Sequence, residues 1–182
     1  MAKVWARWGG VLVASAAAVP LCLLVAVGLA AYRRRRGWPR GPALRASAAE
    51  VVGIAGTLPW LWMIMTPGTA ARSVNLVPLR DLAVQVAGDP TELVVQIVGN
   101  LLVFAALGAC LPLRYPLGLP AVAAVAATGS VLVETLQYVL DLGRVSSVDD
   151  VLVNTLGAVL AALCSRPWWL VSSRSAIGQP SR

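Results

Sequence analysis

Glu134 and Gln137 stand three residues apart in an apolar run, a spacing that puts both on one face of a helix. An ionised side chain at membrane depth costs about 2.5–3.5 kcal/mol on insertion scales, so Glu134 requires a partner, a wet cavity or protonation. Asn100 and Asn154, in two other apolar runs, are candidates to meet it. Between them lies Arg144, followed by Ser147, Asp149 and Asp150. Ser147 and Asp150 have the i, i+3 spacing of a capping box at a helix start, and both aspartates suit the positive end of that helix. Capping does not account for Arg144, nor for Asn154 one turn beyond Asp150 on the same face. A polar loop upstream supplies Asn75 and Arg80; both arginines carry the guanidinium fork that matches phosphate or carboxylate. Two readings stay open: a binding site in a bundle interior, or a set of interhelical hydrogen-bond staples. A cation bridging the carboxylates is a weaker third, because oxygen-only sites lack a decisive spacing outside known loops.

The elements that must position these residues are membrane helices. Of 182 residues, 58% are hydrophobic and 13% charged, against the quarter typical of soluble domains. Apolar runs over 11–31, 48–65, 93–113, 120–140 and 151–170 are each about the length needed to span a bilayer. The expectation is an all-α, polytopic bundle of about five transmembrane helices. The first run is longer than the apolar core of a cleavable signal peptide, and four arginines follow it, so it reads as a retained helix. The longest connection, 66–91, reads as a polar loop.

Orientation follows from Lys and Arg on alternate connections. With the amino terminus outside, the inner segments carry ten basic residues and the outer ones five, which favours amino terminus out and carboxyl terminus in the cytoplasm. The outer side then receives the loop around Asn75, the segment around Asn100 and the run from Glu134 to Asn154. Counting the rise per residue places Asn100 and Glu134 ~10 Å and Asn154 ~6 Å below the outer surface, a similar depth on three helices.

The net charge of +7 does not imply nucleic acid. Arg33, Arg34, Arg35, Arg36, Arg40 and Arg45 are concentrated between two apolar runs, where they read as a topology signal in contact with anionic lipid headgroups. Cys22, Cys110 and Cys164 lie in or beside apolar runs without CxxC spacing, and the chain has no histidine; they read as buried thiols, with no metal site and no cofactor expected.

In this order, residues 75–78 (NLVP), 99–108 (GNLLVFAALG), 134–137 (ETLQ) and 144–157 (RVSSVDDVLVNTLG) resemble the VanZ-like membrane protein family. Two positions depart from its usual pattern: Leu79 stands where an aromatic follows the loop proline, and Ala106 near a customary proline. The family takes its name from a protein associated with low-level resistance to the glycopeptide teicoplanin. The resemblance implies a bacterial cytoplasmic membrane and the cell envelope, without supplying a reaction.

The expected organisation is an added helix and basic loop over 1–47, a VanZ-like four-helix domain over 48–171, and a disordered cytoplasmic tail over 172–182. The expected function is non-enzymatic: an outward-facing polar pocket, formed by Asn75, Arg80, Asn100, Glu134, Gln137, Arg144, Asp149, Asp150 and Asn154, binds a lipid headgroup, a lipid-linked envelope precursor or an amphiphilic antibiotic such as a glycopeptide. The alternative is an intramembrane enzyme acting on a polyisoprenyl phosphate or other lipid-linked substrate, with Glu134 or Asp150 as general base and Arg144 stabilising a phosphoryl or acyl transition state. No nucleophile is evident, since Ser146 and Ser147, read as exposed, have no histidine beside them. A role limited to packing against another protein, through Gly157, Ala158, Ala161 and Ala162, is the third reading.

Overall fold

The computed structural model describes residues 2–88 and 90–169; the expected tail over 172–182, and Asp89, lie outside the described residues. The order is α1 (Ala2–Arg35), α2 (Arg40–Met65), β1 (Ser73–Asn75), α3 (Arg80–Val86), α4 (Pro90–Val103), α5 (Ala105–Arg114), α6 (Leu119–Val139), β2 (Val145–Ser147) and α7 (Val148–Ser165), closed by a 3-10 turn over Arg166–Trp168. Five helical segments are long and apolar enough to cross a membrane, α4 and α5 together making the third. The chain is therefore an all-α, multi-pass membrane protein, as its apolar runs predict.

The third span is not one continuous helix. It breaks at Phe104, with no proline or glycine at the break. Phe104 is buried, and its ring lies so close to Gly129 of α6 that a Cβ there would stand 3.1 Å from the ring. Two other glycines let backbones approach directly: a Cβ at Gly157 would lie 1.9 Å from the Leu101 carbonyl oxygen, and one at Gly108 2.2 Å from that of Ala158. Small residues at such crossings supply the van der Waals packing that holds membrane helices together without a hydrophobic driving force. The core around this seam is Val103, Phe104, Val122, Ala126, Val133, Ala158 and Ala162. On the opposite side α1 packs along α2, where Ala30, Ala43, Ala46 and Ala49 are buried.

The connection read as a polar loop is folded. Its β1 pairs in parallel with β2, register Ser73 to Val145, Val74 to Ser146 and Asn75 to Ser147. The turn ahead of β1 locks onto the turn ahead of β2: Gly68 donates to the Leu142 carbonyl at 2.7 Å and Ala70 to that of Gly143 at 2.8 Å. Gly143 has φ +60, and a Cβ there would stand 2.6 Å from the Gly68 carbonyl oxygen, so this crossing needs glycine twice over. Polarity within the segment is reversed relative to a solvated loop. Asn75 is buried and Asp81 half-buried, whereas Leu76, Val77, Leu79, Val84 and Val86 are exposed.

Of the cysteines, Cys110 is buried, against Gly53; Cys22 is half-buried and Cys164 exposed, which corrects the expectation of three buried thiols. All three are free.

Candidate functional site

The ends of α4, α6 and α7, with the two strands and α3, gather at one end of the bundle. Helix α7 organises them through consecutive aspartates. Asp149, almost completely buried, aims its carboxylate at the segment after β1: Oδ1 accepts the Leu79 N–H at 2.5 Å, and Oδ2 accepts those of Asp81 and Leu82 at 3.0 and 3.2 Å. It thereby supplies from a distant helix the anionic N-terminal partner that α3 needs, beside a Leu79 held at φ 63. Asn75 completes the turn, its Nδ2 donating to Asp81 Oδ1 at 2.6 Å and its Oδ1 accepting the Val77 N–H at 3.1 Å. Asp150 turns the other way, toward α4, and accepts from Asn100 Nδ2 at 2.5 Å, with the Gln96 side chain also bonding to it.

The start of α7 is capped differently from the box that the spacing suggests. Ser147 is the N-cap, but its Oγ accepts from Asp149 N at 3.2 Å rather than from Asp150 N. The reciprocal bond comes from another helix, since Ser147 N donates to Glu134 Oε2 at 2.9 Å. Ser146 Oγ donates to the Glu134 carbonyl, also at 2.9 Å. Both serines are buried, against the expectation that they are exposed. Neither hydroxyl is a candidate nucleophile in this arrangement: one is spent on a carbonyl, the other accepts an N–H at a helix cap.

Gln137 and Arg144 both serve α2. Gln137 Nε2 donates to the Ile64 carbonyl at 2.8 Å. Arg144 Nε donates to the Thr66 carbonyl at 3.1 Å and Nη2 to that of Met63 at 3.4 Å, so its cation sits on the last carbonyls of α2, where the helix dipole is negative. It also lies within electrostatic range of Glu134 and Asp150. Arg80 is exposed at the start of α3, and among the described residues no side-chain bond ties it to this network.

Asn154 belongs to a deeper layer than its neighbours. Because α7 begins at Val148 and not near Val151, Asn154 lies one turn further in than Asp150, and its Nδ2 donates to Ser130 Oγ on α6 at 2.7 Å. Ser130 is in turn one turn inward of Glu134. Asn154 and Ser130 are buried, and Asn154 Oδ1 has no hydrogen-bond partner among the described residues. The predicted residues thus come to one end of the bundle but form two layers rather than one ring.

Beside this network, between α6, α7 and the two strands, lies a groove of about 300 Å³. Val131, Val148, Val151 and Leu76 give it apolar walls, and Glu134 and Ser147 stand in the same lining. Tyr138 also lines it, with the Arg72 guanidinium 4.1 Å from the ring centroid, a cation–π contact.

Sequence reasoning missed Arg72, Ser130 and Gln96. For Ser130 a signal exists: 130, 134 and 137 follow an i, i+4, i+7 helical stripe. Gln96 precedes Asn100 by four residues, which is the same kind of signal. Arg72 carries none, because only the loop fold brings it to Tyr138.

The family model for VanZ/LLP1 matches residues 53–171, well over half of the chain. The chain belongs to the VanZ/LLP1 family. Helix α1 lies outside the matched region, whereas the whole polar end lies inside it. No curated protein and no solved structure matches the chain significantly.

Proposed function

We propose that this VanZ-family membrane protein binds an anionic amphiphile in the groove between α6 and α7. The observation that carries the reading is the pairing of apolar walls, able to take a hydrocarbon segment, with the Arg72 cation stacked on Tyr138, one of the lining residues. An apolar pocket with a few convergent polar groups is the usual form of a small-molecule site. The ligand classes in keeping with it are a lipid headgroup with part of its chain, a lipid-linked envelope precursor, or an amphiphilic antibiotic such as a glycopeptide. In this reading the groove opens on the outer face of a bacterial cytoplasmic membrane, with the carboxyl terminus inside, as the distribution of basic residues favours.

The test is retention of a polyisoprenyl phosphate and of teicoplanin by the purified protein in nanodiscs. Val151→Trp, which fills the groove, and Arg72→Gln, which removes the cation on Tyr138, are each expected to weaken retention of at least one probe severalfold. Retention unchanged in both variants sinks the proposal.

A reaction on the bound lipid is the second reading, favoured by one observation: Glu134, the one ionisable carboxyl residue of the groove lining, is the residue type a general base requires. It predicts that a labelled polyisoprenyl phosphate incubated with active protein is converted to a new species, and Glu134→Gln abolishes that conversion. A label recovered unchanged leaves binding alone.

A further inference from the structure

The far end of the bundle holds a second concentration of charge, with its own internal bookkeeping. Glu50 of α2 takes Arg33 at 2.5 Å through Oε2 and Arg114 through Oε1, while Arg33 also donates to Ser47 Oγ. One carboxylate within α2 therefore joins the ends of α1 and α5, with Trp38 beneath both guanidiniums. Arg36 is held by Tyr32, through its hydroxyl at 3.0 Å and over its ring. Arg34 and Arg35 point elsewhere. Both are exposed, and among the described residues neither has an acidic partner.

They line, with Ala31, a concave space of about 330 Å³. Leu24, Val27 and Ala31 lie at i, i+3 and i+7 on α1, and Arg34 and Arg35 continue the same stripe at i+10 and i+11. All five are exposed, so an apolar track along a membrane-spanning helix runs directly into two unneutralised guanidiniums. That sequence of surfaces has the polarity of a phospholipid lying against the helix, chain along Leu24 and Val27, phosphate at the arginines. Guanidinium forks favour phosphate geometry, and the lack of an acidic partner among the described residues favours a headgroup with net negative charge over a zwitterionic one.

We infer that the α1 face formed by Leu24, Val27, Ala31, Arg34 and Arg35 is a binding site for an anionic phospholipid, separate from the groove at the other end. The helix that bears it lies outside the family-matched region, so the site is a property of this chain and not of the family domain.

The test is native mass spectrometry of the full chain released from phosphatidylcholine nanodiscs containing phosphatidylglycerol as the minor lipid. The wild type is expected to retain phosphatidylglycerol in preference to phosphatidylcholine. The Arg34→Gln/Arg35→Gln double variant should lose that preference by about thirtyfold, the scale expected of two basic side chains at a lipid surface. Both positions are exposed and make no side-chain bond among the described residues, so folding is not at stake. The control is Arg40→Gln/Arg45→Gln, which removes the same charge from exposed positions on α2, outside the Leu24–Arg35 stripe, and should cost clearly less of the preference than the Arg34/Arg35 pair. No preference in the wild type, an equal loss in both double variants, or displacement of the lipid by soluble glycerol phosphate would each overturn the inference. The last result would mark a site for a free phosphate compound.

Discussion

The Asp149 carboxylate accepts the backbone N–H of Leu79 at 2.5 Å across a separation of 70 residues. Through this bond and those to Asp81 and Leu82, one buried side chain holds the whole segment after β1 to the start of α7. In Asp149→Asn one oxygen becomes an NH₂ group that must face a backbone donor, and the remaining bonds lose their ionic character. Hydrogen bonds to charged groups contribute about 1.5–3 kcal/mol each, so a destabilisation of about 2–4 kcal/mol is expected. The readout is faster proteolysis between residues 76 and 86, with a lower midpoint of unfolding. Unchanged proteolysis would remove Asp149 from its role as the anchor of α3.

Arg144 separates the two uses of a cation at this end of the bundle, ligand contact and helix capping. Its bonds to the Met63 and Thr66 carbonyls predict that Arg144→Ala lowers stability by about 1–2 kcal/mol through the freed end of α2. Retention of a polyisoprenyl phosphate by the protein that remains folded should change less than twofold. A large loss of retention at unchanged stability would reassign Arg144 to the ligand.

How much of this was legible depends on the distance over which each feature is determined. Runs of some twenty apolar residues specify spans by themselves, because a helix is the economical way to satisfy backbone groups in lipid. Residue types at the polar end were also readable: an ionisable Glu134 in an apolar run announces a partner. The partner's identity was not. Glu134 meets Ser147 N, Asp150 meets Asn100 and Asp149 meets Leu79, and each pairing is fixed by helix crossings at Gly108 and Gly157 or by the strand pair. The reversal of the 66–91 segment was hidden for the same reason. Asn75 and Asp81 look like solvated loop residues until the distant Asp149 is seen to organise the turn they occupy.

Glu50 escaped attention because it stands alone in a basic region, where it reads as a minor offset to the arginines. Its position between Arg33 and Arg114 makes it the joint of three helices. The side chain remains 24% exposed, so the 3–5 kcal/mol cost of breaking a fully buried pair is too large here, and Glu50→Gln is expected to cost about 1–2 kcal/mol. The cost should shrink at high salt, and Arg33→Gln in the Glu50→Gln background should add little. Additive effects of the two substitutions, measured by denaturant titration in micelles, would show that the pair is not coupled.

Asn154 offers the sharpest separation of packing from function. Its Nδ2 bonds to Ser130, whereas its Oδ1 is buried without a partner among the described residues. An interhelical hydrogen bond in a membrane is worth about 0.6 kcal/mol on average and up to about 1.7, so a cycle of Ser130→Ala, Asn154→Ala and the double variant should give a coupling within that range. If the Ser130 bond is the reason for the asparagine, the cycle shows that coupling and ligand retention follows stability alone. If coupling is near zero while Asn154→Ala still abolishes retention in folded protein, the open acceptor Oδ1 is what the bundle keeps, and the deeper layer belongs to the site as much as the groove above it.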